Sequence, residues 1–314
     1  MKYAILFRTH YWTDYLDARL EEIKAMAPHA DVYVAYDATS SSAPDIPECT
    51  SHSLDSLRAL GLHLPQEKAL WYCGDYPFYD FYHRNPSYDF YLMIENDVYL
   101  QGIDVDEIVS NCLSSKVDIL GAHFLSVKDT KPGQAFHAGR SQYDQWRKCF
   151  FPVVGLRRSA LVSLFAERLR QAERKDSDEK YEIPFCETYV GSESLRQGWL
   201  NRELGSVAPL RTYGASKYML HEKVRAEHST GVWHSVFPAD RFVDSKIKLE
   251  YRKHGKHAFT TPGLLSDLRD AINYAKMSPD EIFLLLERSA SDKVNKKIFN
   301  DRIRNYLMPS MCAA

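Results

Sequence analysis

Several familiar signals are missing from this 314-residue sequence. It has no CxxC pair, and its six cysteines, at 49, 73, 112, 149, 186 and 312, fall at no zinc-ligand spacing. A disulfide framework or structural zinc site is therefore not expected, and the thiols should be reduced and buried. Neither sign of charge is in surplus: 40 Lys+Arg stand against 42 Asp+Glu, for a formal net charge of −2. That balance removes the general electrostatic case for a nucleic-acid binder. No apolar run approaches the roughly 20 residues of a membrane span; Ile282 to Leu286 is among the longest. The apolar stretch that follows Met1-Lys2 is too short for a secretory signal, so a cytoplasmic protein is expected. No G-x-G-x-x-G follows the first apolar run, and no G-x-x-x-x-G-K-[ST] occurs anywhere. Any nucleotide must be held without the dinucleotide fingerprint or the P-loop. Internal repeats and low-complexity tracts are absent as well.

What is present is a chain that is 45% hydrophobic, enough for a large core, with about two domains as the soft expectation from length. Aromatics are abundant: 20 Tyr, 15 Phe and 5 Trp, densest between Trp71 and Tyr99. Rings with polar edges suit a core, an interface or a cleft that stacks sugars and bases. Packing is favoured for the chain as a whole. Between Trp71 and Tyr99, packing and lining a donor site carry equal weight, although Trp71 and Tyr72 themselves read as packing.

The spacing predicts a strand over Tyr3 to Thr9, a helix from about Trp12 to Met26 closed by Pro28, and a second strand over Asp31 to Asp37 followed by a polar loop to Pro44. Strand, helix and strand in so short a stretch form a βαβ unit with a right-handed crossover, whose ligands bind beyond the carboxyl ends of the strands. Those ends are Arg8-Thr9-His10 and Tyr36-Asp37. A short helix follows, with Asp75 as N-cap and Pro77 in its first turn, reaching about His83. Tyr88 to Ile94 reads as a strand, 104 to 113 as a helix, Val117 to Gly121 and Phe151 to Leu156 as strands, and an amphipathic helix starts at Ser159. Beyond Leu210 the character changes. The 246–257 stretch is basic, Ser278-Pro279-Asp280-Glu281 is a capping box, and helices are expected near 262–276, 279–289 and 292–306.

Glu95-Asn96-Asp97 is the most informative tripeptide, since it sets two carboxylates two residues apart directly after an apolar strand. A continued strand or a turn brings both to one face, and carboxylates with water and phosphate oxygens are what Mg²⁺ or Mn²⁺ prefers. Viewed alone, the same tripeptide is also an ordinary acidic exit from a strand.

In its context of an N-terminal βαβ unit, Trp71…Gly74-Asp75-Tyr76 and Tyr88-Asp89-Phe90-Tyr91…Glu95-Asn96-Asp97-Val98, the chain resembles GT-A glycosyltransferases, especially bacterial ones, over about residues 1 to 240. The resemblance implies a Rossmann-like α/β domain with a mostly parallel central sheet and a helical C-terminal extension. It divides residues 1–240 into a donor-binding half (about 1–100) and an acceptor-binding half (101–240), and leaves 241–314 as a basic linker and helical region. It also implies that the acidic tripeptide takes the DxD role, with Asp97 binding the metal and Glu95, in place of the usual Asp, as a second ligand. Gly231-Val232-Trp233-His234-Ser235-Val236-Phe237-Pro238 looks like the late histidine segment of metal-dependent members, so His234 is the third expected ligand and His228 the fallback. Ser235 stands where relatives often carry Pro. In Pro184-Phe185-Cys186-Glu187-Thr188-Tyr189-Val190-Gly191, Glu187 is the expected general base, with Glu182 and Glu193 as competitors. Arg8, Thr9, Asp37, Asp75, Glu95 and Asn96 are the expected donor contacts.

The activity implied is metal-dependent transfer of a sugar from a nucleotide-sugar to a glycan or lipid-linked acceptor, in bacterial surface polysaccharide or lipopolysaccharide synthesis. Two rivals stand beside it. A nucleotidyltransferase usually needs a Gly-rich loop after the first strand, and Arg8-Thr9-His10-Tyr11-Trp12 has no Gly. A non-catalytic carbohydrate-binding protein would keep the fold without turnover. The basic 246–257 stretch is a lid over the donor pyrophosphate, a contact with anionic headgroups at the inner face of the membrane or, as the base expectation, a solvated face. The last helix is basic and amphipathic, a character that serves packing more often than membrane docking.

Overall fold

A computed structural model describes residues 2–65, 69–126, 137–215, 217–254 and 261–289. The chain forms two compact units, one of residues 1–96 and 103–210, the other of 97–102 and 211–314. The segment 211–240, which the resemblance joins to the catalytic part, belongs to the second unit.

The first unit holds β1 (Tyr3–Thr9), α1 (Asp14–Met26), β2 (Asp31–Asp37), β3 (Cys49–His52), α2 (Leu54–Ala59), α3 (Ala69–Tyr72), α4 (Tyr76–Arg84) and β4 (Phe90–Glu95). After β5 (Val98–Gln101), which belongs to the other unit, it continues with α5 (Val105–Ser114), β6 (Ile119–Ser126), β7 (Arg147–Arg157), α6 (Arg158–Ser177), α7 (Cys186–Arg196) and β8 (Asn201–Glu203). Seven strands make one sheet in the order β3-β2-β1-β4-β7-β6-β8. Only β7 runs against the other six, so the expected mostly parallel sheet is what forms. β1 and β4 are buried along nearly their whole length. Strands covered on both faces read as continuous apolar runs, which explains Ala-Ile-Leu-Phe and Phe-Tyr-Leu-Met-Ile.

The order β3-β2-β1-β4 is the first half of a doubly wound sheet. The chain leaves β1 toward one side and returns to β4 on the other, which makes the gap beyond their carboxyl ends the topological switch point where such sheets bind ligands. Arg8 and Glu95 face each other across that gap as register partners.

The expected elements are found with shifted ends. β7 extends well before Phe151, and β6 runs on past Gly121 to Ser126. α4 starts where Pro77 places it, but Asp75 makes no side-chain cap bond. The aromatic segment resolves mostly into core: Tyr76, Phe78, Tyr79, Phe81, Tyr88, Phe90 and Tyr91 are all buried.

The second unit contains a three-stranded sheet ordered β5-β11-β9, built with β9 (Leu210–Tyr213) and β11 (Gly231–His234), and a pair of β10 (Met219–Leu220) with β12 (Val236–Phe237). Around them are α8 (His221–Ala226), α9 (Ala239–His254), α10 (Pro262–Ala275) and α11 (Pro279–Ser289). Their core is Leu220, Phe242, Val243, Ile247, Leu264, Leu268, Ala271, Ile282 and Phe283. The capping box at Ser278 forms as expected, with Glu281 N donating to Ser278 Oγ and Ser278 N to the Glu281 carboxylate. The helix expected at 292–306 lies outside the described residues, as do Lys256 and His257.

Much of the basic 246–257 stretch is the last part of α9 rather than a linker. Three of its lysines are matched: Lys246 with Asp267, Lys248 with Asp244 and Lys253 with Glu250. Among the described residues no helix is long and apolar enough to cross a membrane.

Candidate functional site

In the first unit the site begins at the switch point. Arg8 Nη1 donates to Glu95 Oε1 at 2.7 Å, and Arg8 Nη2 to the Leu70 carbonyl at 2.6 Å. Asn96 N prolongs the β1–β4 pairing by donating to the Arg8 carbonyl at 3.0 Å. A guanidinium therefore stands at the end of β1 with a carboxylate on one side, part-exposed and fixed at two points. Gly74 allows this. A Cβ there would lie 3.1 Å from Arg8 Nη1 and 3.2 Å from Cys186 Sγ, so a larger residue would push against both Arg8 and the start of α7.

That start carries Glu187, nearly buried, with its Oε2 3.7 Å from Lys148 Nζ. Burial pushes the Glu187 pKa up to about 7; Lys148 opposes the shift and the charge of Glu95 adds to it. A carboxyl that titrates near neutrality suits a general base or acid. Its two competitors are placed otherwise. Glu182 is exposed, and Glu193 is held by Arg196 at 2.6 Å.

The other expected donor contacts separate. Asp37 ends β2 beside His52 in register, and one of its oxygens accepts from Thr39 N at 2.9 Å. His52 is buried, and burial lowers its pKa to about 4 against the pull of Asp37, so it is neutral at pH 7. Thr9 is buried, its hydroxyl donating to the Tyr11 carbonyl and accepting from Tyr11 N; it builds the local turn and does not present a hydroxyl to a ligand. Asp75 is a correction. Its carboxylate is wholly inside, gripped by Arg168 Nε at 2.8 Å and Nη2 at 3.0 Å, with Tyr79 Oη donating at 2.8 Å. A group with no exposed surface and its oxygens so engaged braces α4 against α6 and does not reach a donor.

In the second unit Asp97 and His234 come together. Asp97 Oδ2 lies 3.3 Å from His234 Nε2, with Asp97 only 18% exposed and His234 nearly buried. Two backbone features fix this meeting. β5 pairs antiparallel with β11, setting Val98 opposite His234, and Val236 N donates to the Asp97 carbonyl at 2.7 Å. Ser235 Oγ lies 3.1 Å from His234 Nε2. Burial raises the Asp97 pKa, but hydrogen bonds and charge from His234, with help from Ser235, outweigh it and hold the carboxyl below its ordinary value.

An imidazole nitrogen and a carboxylate oxygen suit a borderline divalent ion such as Mn²⁺. Two donors each about 2.1 Å from one ion, at right angles, would stand about 3 Å apart. The observed separation fits one ion. The fallback, His228, sits exposed in the turn after α8.

Lys148 and Ser235 carry no sequence signal as participants, nor does Arg168 as the partner of Asp75. The packing of α7 against β7 brings Lys148 to Glu187, and no local pattern marks it. In the sequence Ser235 stands out within the histidine segment only as a departure from Pro.

No protein-family model matches the chain, and no curated protein matches it in sequence. Among solved structures, a glycosyltransferase involved in the glycosylation of the major capsid of PBCV-1 aligns with 74% of this chain and 92% of its own, at 13% identity and a TM-score of 0.36. Mouse xyloside xylosyltransferase 1, in its apo form, aligns with 74% of this chain and 96% of its own, at 9% identity and a TM-score of 0.38.

Proposed function

We propose that the protein is a metal-dependent glycosyltransferase of the GT-A type, moving a sugar from a nucleotide-sugar to a glycan or lipid-linked acceptor in bacterial surface polysaccharide or lipopolysaccharide synthesis. The observation that carries the reading is the meeting of Asp97, two residues after the end of β4 in the chain, with His234 at the end of β11. Asp97 and His234 would hold the ion, with Glu95, two residues earlier in the chain, as the third donor. When bound, a divalent ion supplies positive charge against the diphosphate of the leaving nucleotide.

The remaining work falls to the chain. Arg8 offers fixed positive charge at the end of β1, and Asp37 faces ribose or base at the end of β2. Glu187, ionised, accepts the proton of the acceptor hydroxyl as that oxygen attacks the sugar carbon in an inverting reaction. Lys148 keeps a fraction of Glu187 ionised that its burial alone would suppress.

The test is hydrolysis of UDP-, GDP-, CMP- and dTDP-sugars with and without Mn²⁺. One donor class should be turned over, only with the ion present, and Asp97→Ala should lower that turnover about 10²-fold or more while the circular dichroism spectrum is retained. No metal-dependent hydrolysis of any donor would leave a sugar-binding protein without catalysis as the better account.

A further inference from the structure

Trp71 is the most exposed large hydrophobic side chain among the described residues, at 57%. It is not a loose ring. On one side of it Leu70 gives its carbonyl to Arg8 Nη2 at 2.6 Å, and on the other Tyr72 Oη donates to the Ile183 carbonyl at 2.8 Å. The Phe185 ring centroid lies 5.0 Å from the indole at an inclination of 56°, and 5.3 Å from Tyr72, nearly edge-on. The indole is therefore seated against Phe185 while more than half its surface meets solvent.

Its neighbours give the exposure a meaning. Phe185 directly precedes α7, and Glu187 is the second residue of that helix. Three residues after Trp71, Gly74 is in close approach to both Arg8 and Cys186. Two short stretches of the first unit, residues 70–74 and the start of α7, thus meet through the Trp71–Phe185 contact and carry the exposed indole, the support of Arg8 and Glu187. An isolated exposed apolar residue needs no explanation, but an indole seated on the residue that opens the helix of Glu187 does. A flat aromatic face suits a ring that is apolar on one face and polar at its rim, and a pyranose is such a ring. A nucleobase stacks too, but the base is expected at the far side, beyond β2.

We propose that Trp71 is the platform on which one pyranose ring of the acceptor stacks, holding a hydroxyl toward Glu187. The role as acceptor rests on the glycosyl-transfer reading; the sugar contact itself does not. The experiment therefore measures binding without donor, metal or turnover. Saturation-transfer NMR is run on the full chain with the methyl glycosides of glucose, galactose, mannose, xylose, rhamnose and N-acetylglucosamine, and separately with UDP, GDP, CMP and dTDP. At least one glycoside should bind, with affinity on the order of millimolar. Covering roughly 60 Å² of ring face corresponds to about tenfold in affinity, so Trp71→Ala should weaken the glycoside by about that factor and Trp71→Phe should restore most of it. Where transfer is measured, Trp71→Ala should raise the acceptor KM and leave kcat close to its original value. Absence of glycoside binding, equal affinity in Trp71→Ala, or a loss confined to the nucleotides would overturn the proposal. Failure of the donor-hydrolysis test alone would leave the sugar contact standing and remove only its role in transfer.

Discussion

Glu187 is held in the fold against the preference of an isolated carboxyl for its charged form. Burial raises its pKa from 4.5 to about 7. Between those values the folded chain binds more protons than the unfolded one, so stability falls as pH rises through this window and is lowest above it. The shift corresponds to about 3 kcal/mol at most. Glu187→Gln should therefore flatten the fall in Tm between about pH 4.5 and 7, while transfer drops sharply and donor binding survives; a variant with the native pH slope would place the shifted group elsewhere. Wild-type transfer should in turn rise through pH 7 as the carboxylate forms. Asp75 is placed differently, paired with Arg168 with neither side chain exposed. Removing one partner of such a pair leaves a buried charge, so Asp75→Ala should cost about 3–5 kcal/mol in urea unfolding. Replacing both by apolar residues of matching volume should recover much of that loss, which separates a structural brace from a ligand contact.

Helix α7 shows how an element delivers a residue. Its first nine residues, Cys186 to Ser194, are all buried, so it lies within the packing of the first unit and not on its surface. Gly191 permits the approach to β7, since a Cβ there would lie 2.4 Å from the Arg147 carbonyl oxygen, a backbone atom that cannot swing away. Gly191→Ala should cost about 1–3 kcal/mol through overpacking. Because Glu187 rides on the displaced helix, transfer should fall further than the stability loss explains, as read by activity at a temperature where the variant is fully folded. This helix was not legible beforehand: with no solvent face, Cys-Glu-Thr-Tyr-Val-Gly-Ser-Glu-Ser shows no amphipathic period, and only its acidic residue drew attention. The strands beside the switch point were legible because burial on both faces writes a continuous apolar run, as in β1 and β4. β3 was not, since four residues of Cys-Thr-Ser-His at a sheet edge carry no such pattern. At the site the same division holds. Arg8, Asp97, Glu187 and His234 follow from element ends and motif resemblance, whereas Lys148 and Arg168 depend on register and packing between distant segments.

At the scale of the whole chain, residues 97–102 are the decisive detour. They leave the first unit directly after β4, form an edge strand of the second unit's three-stranded sheet, and return. β11 lies in the middle of that sheet, with all four residues buried, and Tyr99 completes a small core with Val224, Trp233 and Val236. The second unit is therefore not encoded by its C-terminal stretch alone, and neither is the Asp97–His234 pair. A fragment spanning residues 211–314 lacks β5. It leaves one edge of β11 without its ladder partners and Trp233 without the Tyr99 ring 6.0 Å away; large-to-small loss of an aromatic in a core costs about 3–5 kcal/mol, a large share of what a unit of this size commands. The fragment should bind a hydrophobic dye and melt without a cooperative transition, and a peptide covering residues 94–103, added in excess, should restore part of the near-ultraviolet signal of Trp233. A fragment that unfolds cooperatively and ignores the peptide would show that β5 is a passenger on the second unit, and that its position beside β11 serves the meeting of Asp97 with His234 and not folding.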